Sequence, residues 1–103
     1  MCGIVGIFNY YNNNLVNTDQ LLQMRDILSH RGPDGFGQYV NNKIGLAHRR
    51  LSILDLSENG AQPFASSDGR YHITYNGEVF NYLELRPELE RDGVIFKSNS
   101  DTE

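Results

Sequence analysis

Apolar residues follow two different rhythms along this chain, and each rhythm predicts an element. Ile4, Val5, Ile7 and Phe8 make a short apolar run rich in β-branched residues, which predicts a buried strand over Gly3 to Asn9. The polar segment Tyr10-Tyr11-Asn12-Asn13-Asn14 then reads as a loop. Further on, Leu21, Leu22, Met24, Ile27 and Leu28 recur at helical spacing. They predict a core-facing helix that starts from an N-cap at Thr18, has Asp19 at the positive end of its dipole, and runs to about Ser29. His30-Arg31-Gly32-Pro33-Asp34-Gly35 is dense in residues that break regular structure, and it stops the helix.

Phe36 to Val40 and Lys43 to Ala47 read as a hairpin closed by Asn41-Asn42, residues that tolerate a left-handed backbone. Asp68-Gly69 is a stronger turn signal and leads into a strand over Tyr71 to Tyr75, with Ile73 and the two tyrosines on one face. Asn81, with Glu84 three positions on, resembles a capping box for a helix reaching Arg91. Pro87 predicts either a kink there or a later start, because proline lacks an N–H and crowds the carbonyl of Leu83. Gly93 ends that helix, Val94 to Lys97 read as another strand, and Asp101 looks like the cap of a further helix. Strand, helix, several strands, helix, strand is an α+β order with antiparallel sheets.

Composition narrows the function. The chain has 103 residues, enough for one domain, and 39% apolar and 21% charged residues, as in an ordinary soluble globular protein. A net charge of −4 with scattered Lys and Arg argues against nucleic acid as a partner. A single cysteine excludes an intrachain disulfide and a cysteine-based metal cluster. The apolar start is too short for a signal peptide, and no stretch approaches membrane-spanning length, so the expected setting is cytoplasmic with no membrane partner.

The one cysteine stands at position 2. By type alone, a lone cysteine is a small buried hydrophobe. Behind an initiator methionine, however, its small side chain predicts that Met1 is removed. Cys2 then carries a thiol and an α-amine whose ordinary pKa is about 7.7–8.0, so nucleophile and base lie in one residue. Gly3 next to it leaves room for a substrate to approach the backbone. Asn76-Gly77 offers an amide and a backbone N–H as donors to a developing oxyanion, although the same pair also reads as a type I′ turn. Val79-Phe80 continues a tight hairpin poorly. Arg50, Glu78 and Asp101 are eligible readers of an amino acid's carboxylate and ammonium, as are other surface charges. His30, His48 and His72 lack metal-ligand spacing, and Gly35-Phe36-Gly37 is too little for a phosphate loop.

In order, MCGIVGIF at 1–8, HRGPDGFG at 30–37, AHRRLSILDLS at 47–57, GAQPF at 60–64, YNGEVFNYLELR at 75–86 and SNSDTE at 98–103 cover the whole chain. As a set they resemble the glutamine-hydrolysing asparagine synthases, whose N-terminal domain is a class II glutamine amidotransferase. The opening segment alone fits any class II amidotransferase, and the later segments point to the asparagine branch.

The resemblance implies an N-terminal-nucleophile hydrolase fold, a four-layer αββα sandwich with antiparallel sheets, of which residues 1–103 make about the first half. It implies that Cys2 attacks the glutamine side-chain amide and that Asn76 and Gly77 hold the oxyanion. Arg50 would pair with the substrate carboxylate, Leu51, Ser52, Ile53 and Leu54 would wall the pocket, and Glu78 and Asp101 would receive the ammonium. His30 to Asp34 would shape a loop near the nucleophile. The resemblance implies no metal or cofactor in this chain: ATP and Mg²⁺ belong to a synthetase domain, absent here, that activates aspartate and accepts the ammonia. A half-sandwich leaves apolar surface uncovered, so homo-oligomerisation is expected. Two alternatives stay open, a non-catalytic glutamine-binding or interaction module and an amidotransferase serving a sugar acceptor.

Overall fold

A computed structural model describes all 103 residues. Its strands are β1 (Gly3–Phe8), β2 (Gly35–Asn41), β3 (Ile44–Arg50), β4 (Phe64–Ala65) and β5 (His72–Ile73). Its helices are α1 (Thr18–Ile27) and α2 (Tyr82–Arg91), with single 3₁₀ turns at Leu28–His30 and Glu58–Gly60. β1, β3 and β2 form one antiparallel sheet in that spatial order, and β4 and β5 form a second. The architecture is therefore α+β with antiparallel sheets.

Register decides which residues face the helix. Val5 lies opposite Ala47 and Ala47 opposite Gln38, so these positions share one face of the larger sheet with Gly3, Ile7, Gly45 and Arg49. α1 packs on that face. Val16, Leu21 and Ala47 are its buried apolar residues, and burying the Leu21 side chain contributes about 1.5–3 kcal/mol. Gly45 is required by packing, because a Cβ there would lie 2.9 Å from Val16 Cγ1 and 3.0 Å from Leu21 Cδ2.

The inward stripe of α1 differs from the predicted one. Met24 and Ile27 are exposed, and Arg25 takes the buried position between Leu21 and Leu28. Its guanidinium is satisfied there by Asp26 at 2.8 Å, by Gln38 Oε1 at 2.6 Å and by the Phe36 ring at 4.4 Å. The cap is Asn17, whose side chain accepts from Gln20 N at 3.1 Å, so Thr18 is the first helical residue.

The other sheet face carries Ile4, Phe8, Ile44, Gly37, Tyr39 and His48. The β4–β5 hairpin covers its β2 side: Tyr39 and His72 stack with centroids 3.6 Å apart, and the Gln62–Pro63 backbone rests against Gly37. No element covers the β1 side, where Ile4, Phe8 and Ile44 are 49%, 62% and 42% exposed.

Several boundaries depart from expectation for identifiable reasons. The β2–β3 turn is Asn42-Lys43, one residue later than predicted, with the positive φ at Asn42. β5 pairs only at His72 and Ile73, because the backbone of Tyr75 bonds side chains instead of a strand. Asn81 makes no side-chain cap: its φ of −97° and ψ of 21° lie outside the extended region from which a cap reaches forward. α2 runs unbroken through Pro87 and ends before Gly93, whose φ is +95°. Val94 to Lys97 is not a strand. The N–H groups of Lys97 and Ser98 donate to the Glu103 carboxylate, each at 2.8 Å, and are unavailable to a ladder. Asp101 lies in a turn, and its Oδ2 accepts from Val79 N at 2.7 Å.

Candidate active site

Cys2 stands directly ahead of β1, where the β1–β3 pairing carries it to the end of β3. There its Sγ meets the backbone of Leu51: Leu51 N donates at 3.3 Å, and the thiol reaches Leu51 O at 3.6 Å. Arg31 Nε donates to Cys2 O at 3.2 Å, so the loop after α1 holds the same residue from the other side. Met1 is exposed and outside the ladder, and its removal breaks no strand pairing.

Beside Cys2 lies a cavity of about 340 Å³. Arg50, Leu51, Ile53 and Leu54 line one wall; Asn76, Gly77, Glu78 and Asp101 line the other. The fold thus brings nine of the ten predicted site residues, Cys2 included, to one hollow from segments up to 99 positions apart. Ser52 is not in its wall. It lines a neighbouring cavity with Asp34, whose Oδ2 accepts from Ser52 N at 2.9 Å.

Each wall has its own support. Arg50 folds the 54–57 loop around its guanidinium, donating to Ser57 O at 2.7 Å, to Leu54 O at 3.2 Å and to Asp55 O. Gly60 lies against the same guanidinium, with no room there for a Cβ. Asp55 then ties this loop to the opposite wall, since its carboxylate accepts from Asn99 N at 2.8 Å. Bonds from the Ser57 hydroxyl and Asn99 N hold Asp55 below the usual carboxylate range. Glu103 is held low as well: although burial opposes it, the Lys97 and Ser98 N–H groups and the Ser98 hydroxyl favour the charged form.

His48, Gly60, Gln62, Tyr75, Ser100 and Thr102 also line the cavity and were not singled out from the sequence as its parts. His48 lacks metal-ligand spacing, but its place in a strand two residues before Arg50 puts both on the same sheet face. Burial lowers its pKa, the Arg50 charge lowers it further, and a bond to the Tyr75 carbonyl works the other way. Gln62 lies inside the GAQPF segment, and nothing in its residue type marks it as reaching Tyr75. No three His, Cys, Asp or Glu side chains gather as a metal site, and no helix is long and apolar enough to cross a membrane.

The Cys2 thiol thus stands beside a hollow with a cation on one wall and carboxylates on the other. The chain belongs to the glutamine amidotransferase domain family, whose model matches residues 1–103. It is 46% identical to asparagine synthetase [glutamine-hydrolyzing] 1 of Bacillus subtilis, over all of this chain and 16% of that protein. It is 36% identical to asparagine synthetase B [glutamine-hydrolyzing] of Escherichia coli, over all of this chain and 18% of that protein. It is also 37% identical to the amidase chry2 of Gibberella zeae, over all of this chain and 17% of that protein. The chain therefore spans less than a fifth of the length of these relatives.

Proposed function

We propose that this chain carries the nucleophilic half of a glutamine-hydrolysing site, with Cys2 as its N-terminal nucleophile once Met1 is removed. The freed α-amine takes the thiol proton, and Sγ attacks the side-chain amide carbon of glutamine. Asn76 and Gly77 donate to the tetrahedral oxyanion. The amine's proton passes to the departing nitrogen, ammonia leaves, and a γ-glutamyl thioester remains. The same amine then draws a proton from water, which opens the thioester to glutamate and restores the thiol. Arg50 reads the substrate carboxylate, Glu78 and Asp101 read its ammonium, and Leu51, Ser52, Ile53 and Leu54 shape the pocket around its chain.

The observation that carries this reading is the single cavity shared by Cys2, Arg50, Asn76, Gly77 and Asp101. The names of the asparagine synthetase relatives support aspartate as the ammonia acceptor, activated with ATP and Mg²⁺ in a synthetase domain outside residues 1–103. On this reading the segment is part of an N-terminal-nucleophile hydrolase sandwich. The amidase relative favours a second reading, amide hydrolysis outside asparagine synthesis.

The test compares glutamate release from glutamine by the Met1-free protein, by Cys2→Ala and by a protein that keeps an N-terminal tag. The Met1-free protein is expected to be the only active one. Equal rates for it and Cys2→Ala would remove Cys2 from the chemistry and leave a non-catalytic module as the better account.

A further inference from the structure

The segment with the proposed oxyanion donors is irregular, yet side chains bond its backbone. Tyr75, immediately before Asn76, has both main-chain groups bonded to side chains. Its N–H donates to Gln62 Oε1 at 2.6 Å, and its carbonyl accepts from His48 Nε2 at 3.3 Å. One residue earlier, Thr74 Oγ1 donates to Ala47 O at 3.4 Å. Gln62 also donates through Nε2 to Thr102 Oγ1 at 3.2 Å, which links this segment to the one bearing Asp101.

His48 is 1% exposed and belongs to β3, the central strand. A carbonyl can only accept, so Nε2 carries the proton, and burial, which disfavours the charged ring, leaves Nδ1 bare. Nδ1 is buried and meets no donor of the protein, so the ring's one hydrogen bond to the protein is the one Nε2 makes to the Tyr75 carbonyl.

We propose that His48 is a positioning residue for the oxyanion donors: with Gln62 it clamps both backbone groups of Tyr75 and so fixes Asn76 and Gly77 opposite Cys2. This rests on the glutamine-hydrolysis reading above. His48 acts through Tyr75 and transfers no proton. It ties the donors to the same strand whose end carries Arg50 and Leu51, so the two cavity walls share one rigid reference.

The experiment separates transition-state binding from ground-state binding. Glutamate γ-semialdehyde adds to the Cys2 thiol as a thiohemiacetal, whose oxygen takes the oxyanion position. Glutamate reports the carboxylate and ammonium readers alone. Both affinities are measured by calorimetry on the Met1-free protein, on His48→Leu and on His48→Gln, whose amide nitrogen replaces Nε2 as donor. His48→Leu is expected to lose roughly tenfold or more in aldehyde affinity with glutamate affinity within about twofold, and His48→Gln to recover most of the loss, a fraction of what removing a donor costs. Unchanged aldehyde affinity in His48→Leu, or a parallel loss of both ligands, overturns the positioning role. A parent protein that binds glutamate but forms no aldehyde adduct overturns the Cys2 chemistry itself, and the positioning role with it. If His48→Leu does not fold, the ring ¹⁵N signals of the unaltered protein decide: an Nε2–H tautomer supports the clamp, and an Nδ1–H tautomer overturns it.

Discussion

Gly32→Ala adds one methyl group where the loop after α1 crosses the end of β3. A Cβ there would lie 2.5 Å from Arg50 N, and nearer still to the carbonyl carbon and oxygen of Arg49. Contact begins at 3.4 Å, so more than roughly 0.9 Å of separation has to be found in a close-packed region. The obstructing atoms are backbone atoms in a hydrogen-bonded strand and cannot rotate away. Overpacking of this kind costs about 1–3 kcal/mol, offset by about 0.4–1 kcal/mol from the stiffer unfolded chain. The net loss of about 1–2 kcal/mol corresponds to a fall in Tm of roughly 5–15 °C for a domain of this size. The same loop bonds the site at three points. Arg31 Nε donates to Cys2 O at 3.2 Å, Arg49 Nε to Gly32 O at 3.0 Å, and Ser52 N to Asp34 Oδ2 at 2.9 Å. Its displacement should therefore shift Cys2 against Leu51 and change the rate of Cys2 alkylation by iodoacetamide below the transition. Thermal unfolding by circular dichroism and the alkylation rate are the two assays. A Tm within 1–2 °C of the parent, about the scatter expected of a neutral surface substitution, would refute the close-approach argument.

Stability should fall in two stages on acidification. His48, its pKa lowered by burial and by Arg50, contributes stability that is present above its ordinary 6.5 and lost as pH falls toward its folded value. Asp55 and Glu103, with ordinary values of 3.8 and 4.5 and lowered folded ones, contribute stability that is lost further down, through those folded values; Tm against pH checks both stages, and a flat profile from pH 7 to 5 would contradict the first. Arg50→Lys cannot serve the carbonyls of Leu54, Asp55 and Ser57 together, so limited proteolysis within residues 53–57 should accelerate and glutamine should bind more weakly. Pro87→Ala restores an N–H toward Leu83 O and should raise helicity at 222 nm, with about 2 kcal/mol of added stability after the unfolded-state offset. The uncovered Ile4, Phe8 and Ile44 predict self-association, and a monomer in sedimentation at micromolar concentration would count against it.

The legible parts of this fold are those specified by local chemistry. The apolar run at Ile4–Phe8, the breaker segment at 30–35, the Asp68-Gly69 turn and the stop at Gly93 all act through their own backbones, and each appears where expected, although the first strand is half exposed rather than buried because nothing covers Ile4 and Phe8. The illegible parts depend on distant partners. Arg25 reads as a polar helix position, and only Gln38 and Phe36 on β2 make it a core residue. Val94–Phe96 has strand composition, but a strand needs a neighbour, and Glu103 takes the N–H groups that follow it. The site residues picked out as a set came from the ordered motifs. His48 and Gln62 carry no such mark, because their roles are hydrogen bonds to a main chain 27 and 13 positions away.

The two walls of the cavity differ in how they are built, and this bears on what residues 1–103 can do alone. Cys2, Arg50 and Leu51 are carried by a sheet whose central strand pairs on both sides. Asn76, Gly77, Glu78 and Asp101 lie on segments without strand pairing, between a two-residue strand and the chain's last turn. What joins the halves is a short set of bonds: His48 and Gln62 to Tyr75, Thr74 to Ala47, Gln62 to Thr102, and Asp55 to Asn99. Bonds of this kind contribute about 0.5–1.5 kcal/mol each, so local opening of the second wall is far less costly than unfolding the sheet. Nucleophile and oxyanion donors must meet to within a fraction of an ångström for catalysis. The nucleophile's reactivity toward a small alkylating reagent therefore depends on the sheet and on the loop after α1 that holds Cys2, whereas glutamine turnover also depends on the bonds that keep the two walls together.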